Sequence, residues 1–182
     1  MLTWILIVVG SLIVLLAIVF VVATLLGTRL SPNHTVQATL HVAKPVAEVF
    51  ALVDNLEAQP TWDKGVTRIE PLPDDAGRPR RRMVMGRNSF VLTDTTRQPP
   101  TQLVRTISDD HKFFGGSWTF DFTPEGSGTK VTLTEHGVID PPIPRLMMKH
   151  FVDPAMYLKR QLAAMARALG EEPRISEAKR LA

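Results

Sequence analysis

Residues 115–137 read GGSWTFDFTPEGSGTKVTLTEHG, and this stretch decides the fold. It holds two alternating runs joined by PEGSG at Pro124–Gly128, the clearest hairpin signal in the chain. With Phe114 just before them, Gly116, Trp118, Phe120 and Phe122 lie two apart and share one face of the first strand. None is charged, so this face is expected to point inward. On the second strand Val131, Leu133 and Glu135 share one face while Thr132, Thr134 and His136 share the other. One of Glu135 and His136 therefore points inward unless a bulge intervenes.

Upstream of the hairpin, alternation predicts strands over His34–Ala43, Gly65–Leu72, Arg80–Arg87, Phe90–Thr96 and Gln102–Ser108, with the hairpin strands at Phe113–Thr123 and Thr129–Ile139. Turn residues separate them at DDAG, at Gln98-Pro99-Pro100 and at Asp109-Asp110, where Asp109, Asp110 and His111 form a polar turn. Between the first two strands, Pro45 suits the first position of a helix whose Val46, Val49, Phe50, Val53 and Leu56 fall on one face. Gln59-Pro60 is expected to stop it.

Downstream, a helix runs from about Pro144 to Leu169, with Met147, Phe151, Leu158, Leu162, Met165 and Leu169 as its apolar stripe. Asp153 and Pro154 resemble an N-cap followed by proline at the first helical position, which predicts a break there. The sheet needs a partner to bury its apolar face, and this helix is the large one on offer. The last stretch, GEEPRISEAKRLA from Gly170, is polar and is expected to fray.

At the other end, Leu2–Thr28 is LTWILIVVGSLIVLLAIVFVVATLLGT, without a charged side chain until Arg29. A membrane crossing needs roughly 20 apolar residues, and a secretory leader has a basic start and an apolar core of only about 7–15. This run fits a single transmembrane anchor, residues 2–28 being its contact with the bilayer. Arg29 and Lys44 follow the span and none precedes it, which favours a cytoplasmic body. Expected boundaries are an anchor over 1–29, a linker over 30–35, one domain over 36–170 and a tail over 171–182. The net charge of +3 and mixed signs argue against a polyanion-binding protein, so no nucleic-acid partner is expected.

The order strand, helix, about six antiparallel strands, long amphipathic helix resembles the START-like superfamily, the polyketide cyclase/dehydrase and lipid-transport (SRPBCC) group. The resemblance rests on KPVAEVFALVDNLEAQPTWDKGV at 44–66, on residues 115–137, and on YLKRQLAAMARALGEE at 157–172. It implies an α+β helix-grip fold: a curved antiparallel sheet of about six or seven strands around a C-terminal helix, preceded here by one transmembrane helix. It also implies a pocket between sheet and helix for a lipid or other apolar small molecule, held for sequestration or transfer. A minority of such proteins are cyclase or dehydratase-type enzymes, and a module that binds a partner protein is a third alternative.

Within that frame the pocket is expected to be lined by Trp62, Met83, Met85, Leu92, Phe114, Trp118, Phe120, Leu133, Met147, Phe151 and Tyr157. Any one of them can equally be ordinary core, because aromatic stripes and methionines pack interiors. No catalytic residue is assigned. For acid–base work the candidates are Glu135 or His136, with Tyr157 or Arg105 holding an oxygen; an inward Glu135 could pair with Arg105, the alternative being that both sit at strand ends in solvent. His34 and His41 lack the context of a metal centre, and no metal or cofactor is expected. Arg78, Arg80, Arg81 and Arg82 form the densest charge run, either a solvated strand start or a contact for anionic lipid.

Overall fold

The structure is a computed structural model that describes residues 1–107, 114–153, 155–176 and 179–181. Helix α1 (Leu2–Thr28) precedes β1 (Asn33–Val42), so only residues 29–32 link them and the expected linker is shorter by the start of β1. Then come α2 (Val46–Asp54), a 3-10 turn (Leu56–Ala58), α3 (Gln59–Trp62), β2 (Arg68–Asp75), β3 (Arg78–Met85), β4 (Asn88–Gln98), β5 (Gln102–Ile107), β6 (Phe114–Glu125) and β7 (Gly128–Ile139). Helices α4 (Pro142–His150) and α5 (Met156–Ala168) are followed by short strands β8 (Arg174–Ile175) and β9 (Lys179–Leu181).

All strand pairs are antiparallel, in the order β2-β3-β4-β5-β6-β7-β1-β8, with β9 also on β1. The chain thus has the helix-grip fold, a meander closed by the return of the first strand beside the last. Two details differ from the expectation, the paired tail and the helical turn at Pro60, and the break expected at Asp153 is present. The C-terminal tail is not frayed, because β1 would otherwise be an open edge and β8 and β9 pair with it. Pro60 does not stop helical structure, because proline is compatible with the first turn of α3, where its missing N–H has no partner to lose. The terminal helix is two helices: Asp153 accepts from the Ala155 N–H at 2.9 Å and pairs with Lys159 at 2.9 Å, starting α5 afresh. Pro154 and the expected Asp109–His111 turn lie outside the described residues.

Alternation is carried into burial. Val36, Ala38, Leu40 and Val42 of β1, Trp118, Phe120 and Phe122 of β6, and Val131 and Leu133 of β7 form the concave face. Leu158, Leu162 and Met165 of α5 lie against it at helical spacing, while α2 contributes Val49, Phe50 and Val53. Phe50 meets Phe122 edge to face at 5.3 Å between centroids. The stripe expected to continue through Met147 and Phe151 does not reach this core, since α4 packs on α1 instead.

Arg105 corrects a second expectation. It is 2 % exposed, yet it pairs with Asp94 at 3.1 Å and not with Glu135. Its guanidinium also donates to the carbonyls of Val53 (2.8 Å) and Asp54 (3.2 Å), the exposed-acceptor end of α2. Burial pulls its pKa below the usual arginine value, and the Asp94 carboxylate opposes that shift. Arg105 is therefore the peg that fastens α2 to the sheet. Replacing it with alanine leaves Asp94 with Arg81 alone and two carbonyls without their donor, which is expected to cost about 3 kcal/mol by denaturant unfolding of the detergent-solubilised chain. A loss near zero would show that α2 is held without it.

Candidate ligand cavity

The register sets the floor of a cavity. Arg105, Trp118, Glu135 and Val36 stand opposite one another on β5, β6, β7 and β1, so their side chains rise from the same face. Arg105 turns towards α2, whereas Trp118 and Glu135 line an open cavity of about 1220 Å³ between the sheet, α4 and the start of α5. Its walls include Met85, Phe90, Ile107 and Ile139, closed above by Pro144, Met148, Val152, Met156 and Tyr157. This exceeds the roughly 300–1,000 Å³ of common small-molecule sites and leaves room for a long-chain or multi-ring molecule.

Polar side chains line it as well: Lys64, Thr67, Arg87, Asn88, Ser89 and Asp153, besides His34, Glu135, Tyr157 and Arg160. His34 shares the inward parity of Val36, Ala38 and Leu40, and its ring lies 3.5 Å from the Glu135 carboxylate. Gly137 makes that possible, because a Cβ there would collide with the His34 ring. Tyr157 stacks on Trp118 at 5.0 Å and 24°, and Arg160 caps the other side of the phenol ring at 5.3 Å. The Arg160 guanidinium in turn occupies the space a side chain at Gly65 would need. Burial of the Tyr157 hydroxyl, with lesser contributions from Asp63 and Glu135, pushes its pKa above the ordinary phenol value. That hydroxyl, the Trp62 indole N–H and the Gln161 side-chain oxygen are enclosed without a hydrogen-bond partner.

Of the eleven residues expected to line a pocket, Met85, Phe114, Trp118 and Tyr157 border this cavity. Met83, Leu92, Phe120 and Leu133 are buried in the core beneath and beside it. Trp62 packs against that core from α3, while Met147 and Phe151 are exposed on the outer side of the α4 segment. Glu135 is inward and His136 is exposed, bonded to the Thr35 hydroxyl at 3.2 Å. Sequence reading missed His34, Arg160 and the glycines at 65 and 137. Only His34 had a signal, its parity with the apolar residues of β1.

Two members of the arginine run have carboxylate partners. Arg81 contacts Glu57 at 2.6 Å and Asp94 at 3.3 Å, and Arg82 lies 4.0 Å from Glu70. Among the described residues no group of three His, Cys, Asp or Glu side chains is placed to hold a metal ion.

Solved structures share this architecture at low identity. A START superfamily protein from Mycobacterium smegmatis superposes with a TM-score of 0.64 at 21% identity, over 75% of this chain and 97% of its own. A protein from Thermus thermophilus gives 0.61 at 22% identity, over 75% and 97%. The Zhui aromatase/cyclase from a Streptomyces species gives 0.60 at 15% identity, over 75% and 94%. At these identities the likeness is one of fold. No match was found among curated proteins. The sequence profile described as polyketide cyclase / dehydrase and lipid transport matches residues 33–170, from the first residue of β1 to two residues past the end of α5. By that match, together with its helix-grip sheet and cavity, the chain belongs to the polyketide cyclase/dehydrase and lipid-transport family.

Proposed function

We propose that this protein is a membrane-tethered binding module that holds a lipid or other apolar small molecule between its sheet and α5, for sequestration or transfer. The observation that carries the reading is the cavity itself: a large space with more apolar than polar lining, whose polar residues include His34, Glu135 and Arg160. An apolar guest gains roughly 25 cal/mol for each Å² it removes from water, before ordering costs, and needs few directed hydrogen bonds. The tether in this reading is α1, whose 27 residues reach about 40 Å, enough to cross a bilayer with tilt. Arg29 after the span favours the cytoplasmic side for the domain.

A second reading, catalysis of the cyclase or dehydratase type, is supported by the His34–Glu135 pair facing the cavity beside Tyr157. Glu135 would take up or release a proton there and Tyr157 would hold an oxygen. Chemical conversion of a molecule extracted from the cavity, lost in Glu135→Gln, would favour this reading over simple carriage.

The deciding experiment is mass spectrometry of solvent extracts from the detergent-solubilised full chain beside Met85→Trp, which fills the cavity from its wall. Lipid held by α1 is common to both samples, so a near-stoichiometric apolar species present in the wild type and strongly depleted in the variant identifies the cavity's guest. Equal extracts would count against the cavity as a binding site. A second prediction concerns Tyr157, the sole tyrosine, so a tyrosinate titration reports on it alone. Above the ordinary phenol value of about 10 the unfolded chain ionises while the folded chain holds its proton, so folding loses stability as the pH rises from there. Tyrosinate absorbance is expected only together with alkaline unfolding. Ionisation near the ordinary value in a folded protein would mean that the hydroxyl is solvated.

A further inference from the structure

We infer that the outer face of α4 and the rim of the cavity seat on the leaflet that α1 spans, so that the cavity opens onto lipid. This rests on the reading of α1 as a membrane anchor.

The first support is that α1 and α4 are joined rigidly. Arg145 of α4 donates to the carbonyls of Leu30 at 2.9 Å and Gly27 at 3.3 Å, which lie at the C-terminal end of α1. The same guanidinium donates to Ile139 at 3.0 Å and to Asp140, tying the end of β7 to the same point. Gly27 sits so close to Pro142 that a Cβ would collide with its carbonyl. With the end of α1 at the hydrocarbon boundary, α4 is held at the level of the headgroups.

The second support is where apolar surface is exposed. Beyond residue 28, the exposed large apolar side chains among the described residues are Phe114 (50 %), Met147 (52 %), Phe151 (80 %), Met156 (62 %) and Leu181. Phe114 and Met156 form part of the cavity lining, and Met147 and Phe151 sit one helical turn apart beside it. Leu181 borders a second, smaller cavity of about 200 Å³ at the foot of α1. Thus every one of these side chains lies at the anchor end of the domain, the arrangement expected of a surface immersed in an interface rather than in water.

The third support is charge. The smaller cavity is lined by His34, Arg145, Lys149 and Arg180, with no carboxylate among its described lining residues. Cations at this depth suit lipid phosphates. The far end of the domain is different, since the β6–β7 turn carries no exposed large apolar side chain and stands about 35 Å from Ile139 along the strand.

The chain has no cysteine, so single-cysteine variants can be labelled cleanly. Met147→Cys, Phe151→Cys, Ser127→Cys and Leu15→Cys, each carrying an environment-sensitive fluorophore, would be reconstituted as full chains in vesicles of phosphatidylcholine with a minor share of phosphatidylglycerol. Quenching is then read with lipids spin-labelled near the headgroup or deep in the acyl chain. Loss of fluorescence at Met147 and Phe151 to the shallow quencher, at Leu15 to the deep one, and at Ser127 to neither is the expected pattern. Quenching at Leu15 with none at Met147 and Phe151 overturns the inference and leaves the anchor standing. An unquenched Leu15 overturns the anchor reading and the inference with it.

Discussion

The sheet is longer than the helix that covers it, and the rest of the molecule follows from that mismatch. Strands β6 and β7 have twelve residues each, about 40 Å, whereas the thirteen residues of α5 rise about 20 Å. Apolar residues along the whole concave face need cover. At the turn end α2 supplies it through Phe50 on Phe122, and in the middle α5 supplies it through Leu158, Leu162 and Met165. Beyond Trp118, among the described residues, α4 bridges over the sheet with the cavity beneath it. The cavity is thus what remains when a short helix meets a long sheet, and Trp118 with Tyr157 marks the boundary between packed core and open space.

Two arginines hold this arrangement by a common device. Arg105 and Arg145 each direct several N–H groups at carbonyls near a helix end, the first at α2 and the second at α1. A guanidinium suits this task because its donors are fixed in a plane and its charge persists. The same residue type that sequence reading places beside a ligand is here spent on backbone. It leaves Glu135 without an arginine partner, and His34 stands nearest to it instead.

The strand order, the hairpin at Pro124–Gly128 and the inward face of β6 were legible because a period of two and turn-forming residues are local properties. Burial of Leu158, Leu162 and Met165 followed from spacing for the same reason. What Met147 and Phe151 face was not legible, since their spacing continues the stripe of α5 and only the break at Asp153 and the packing of α4 on α1 separate them. The partner of Arg105 was hidden too: Asp94 lies on a neighbouring strand beside a register shift that no alternation reveals. Tail pairing escaped because β8 and β9 are short and polar, and are ordered by the edge of β1 rather than by their own apolar residues.

Four residues, 29–32, separate α1 from β1, and even fully extended they span only about 14 Å. With Arg145 clamping the helix end as well, the domain has almost no swing radius. With α1 as the proposed anchor, such a domain would not ferry cargo across the gap between two membranes on its own leash. Its range would be set by lateral diffusion, and whatever takes up or supplies the proposed guest would have to come to the same plane.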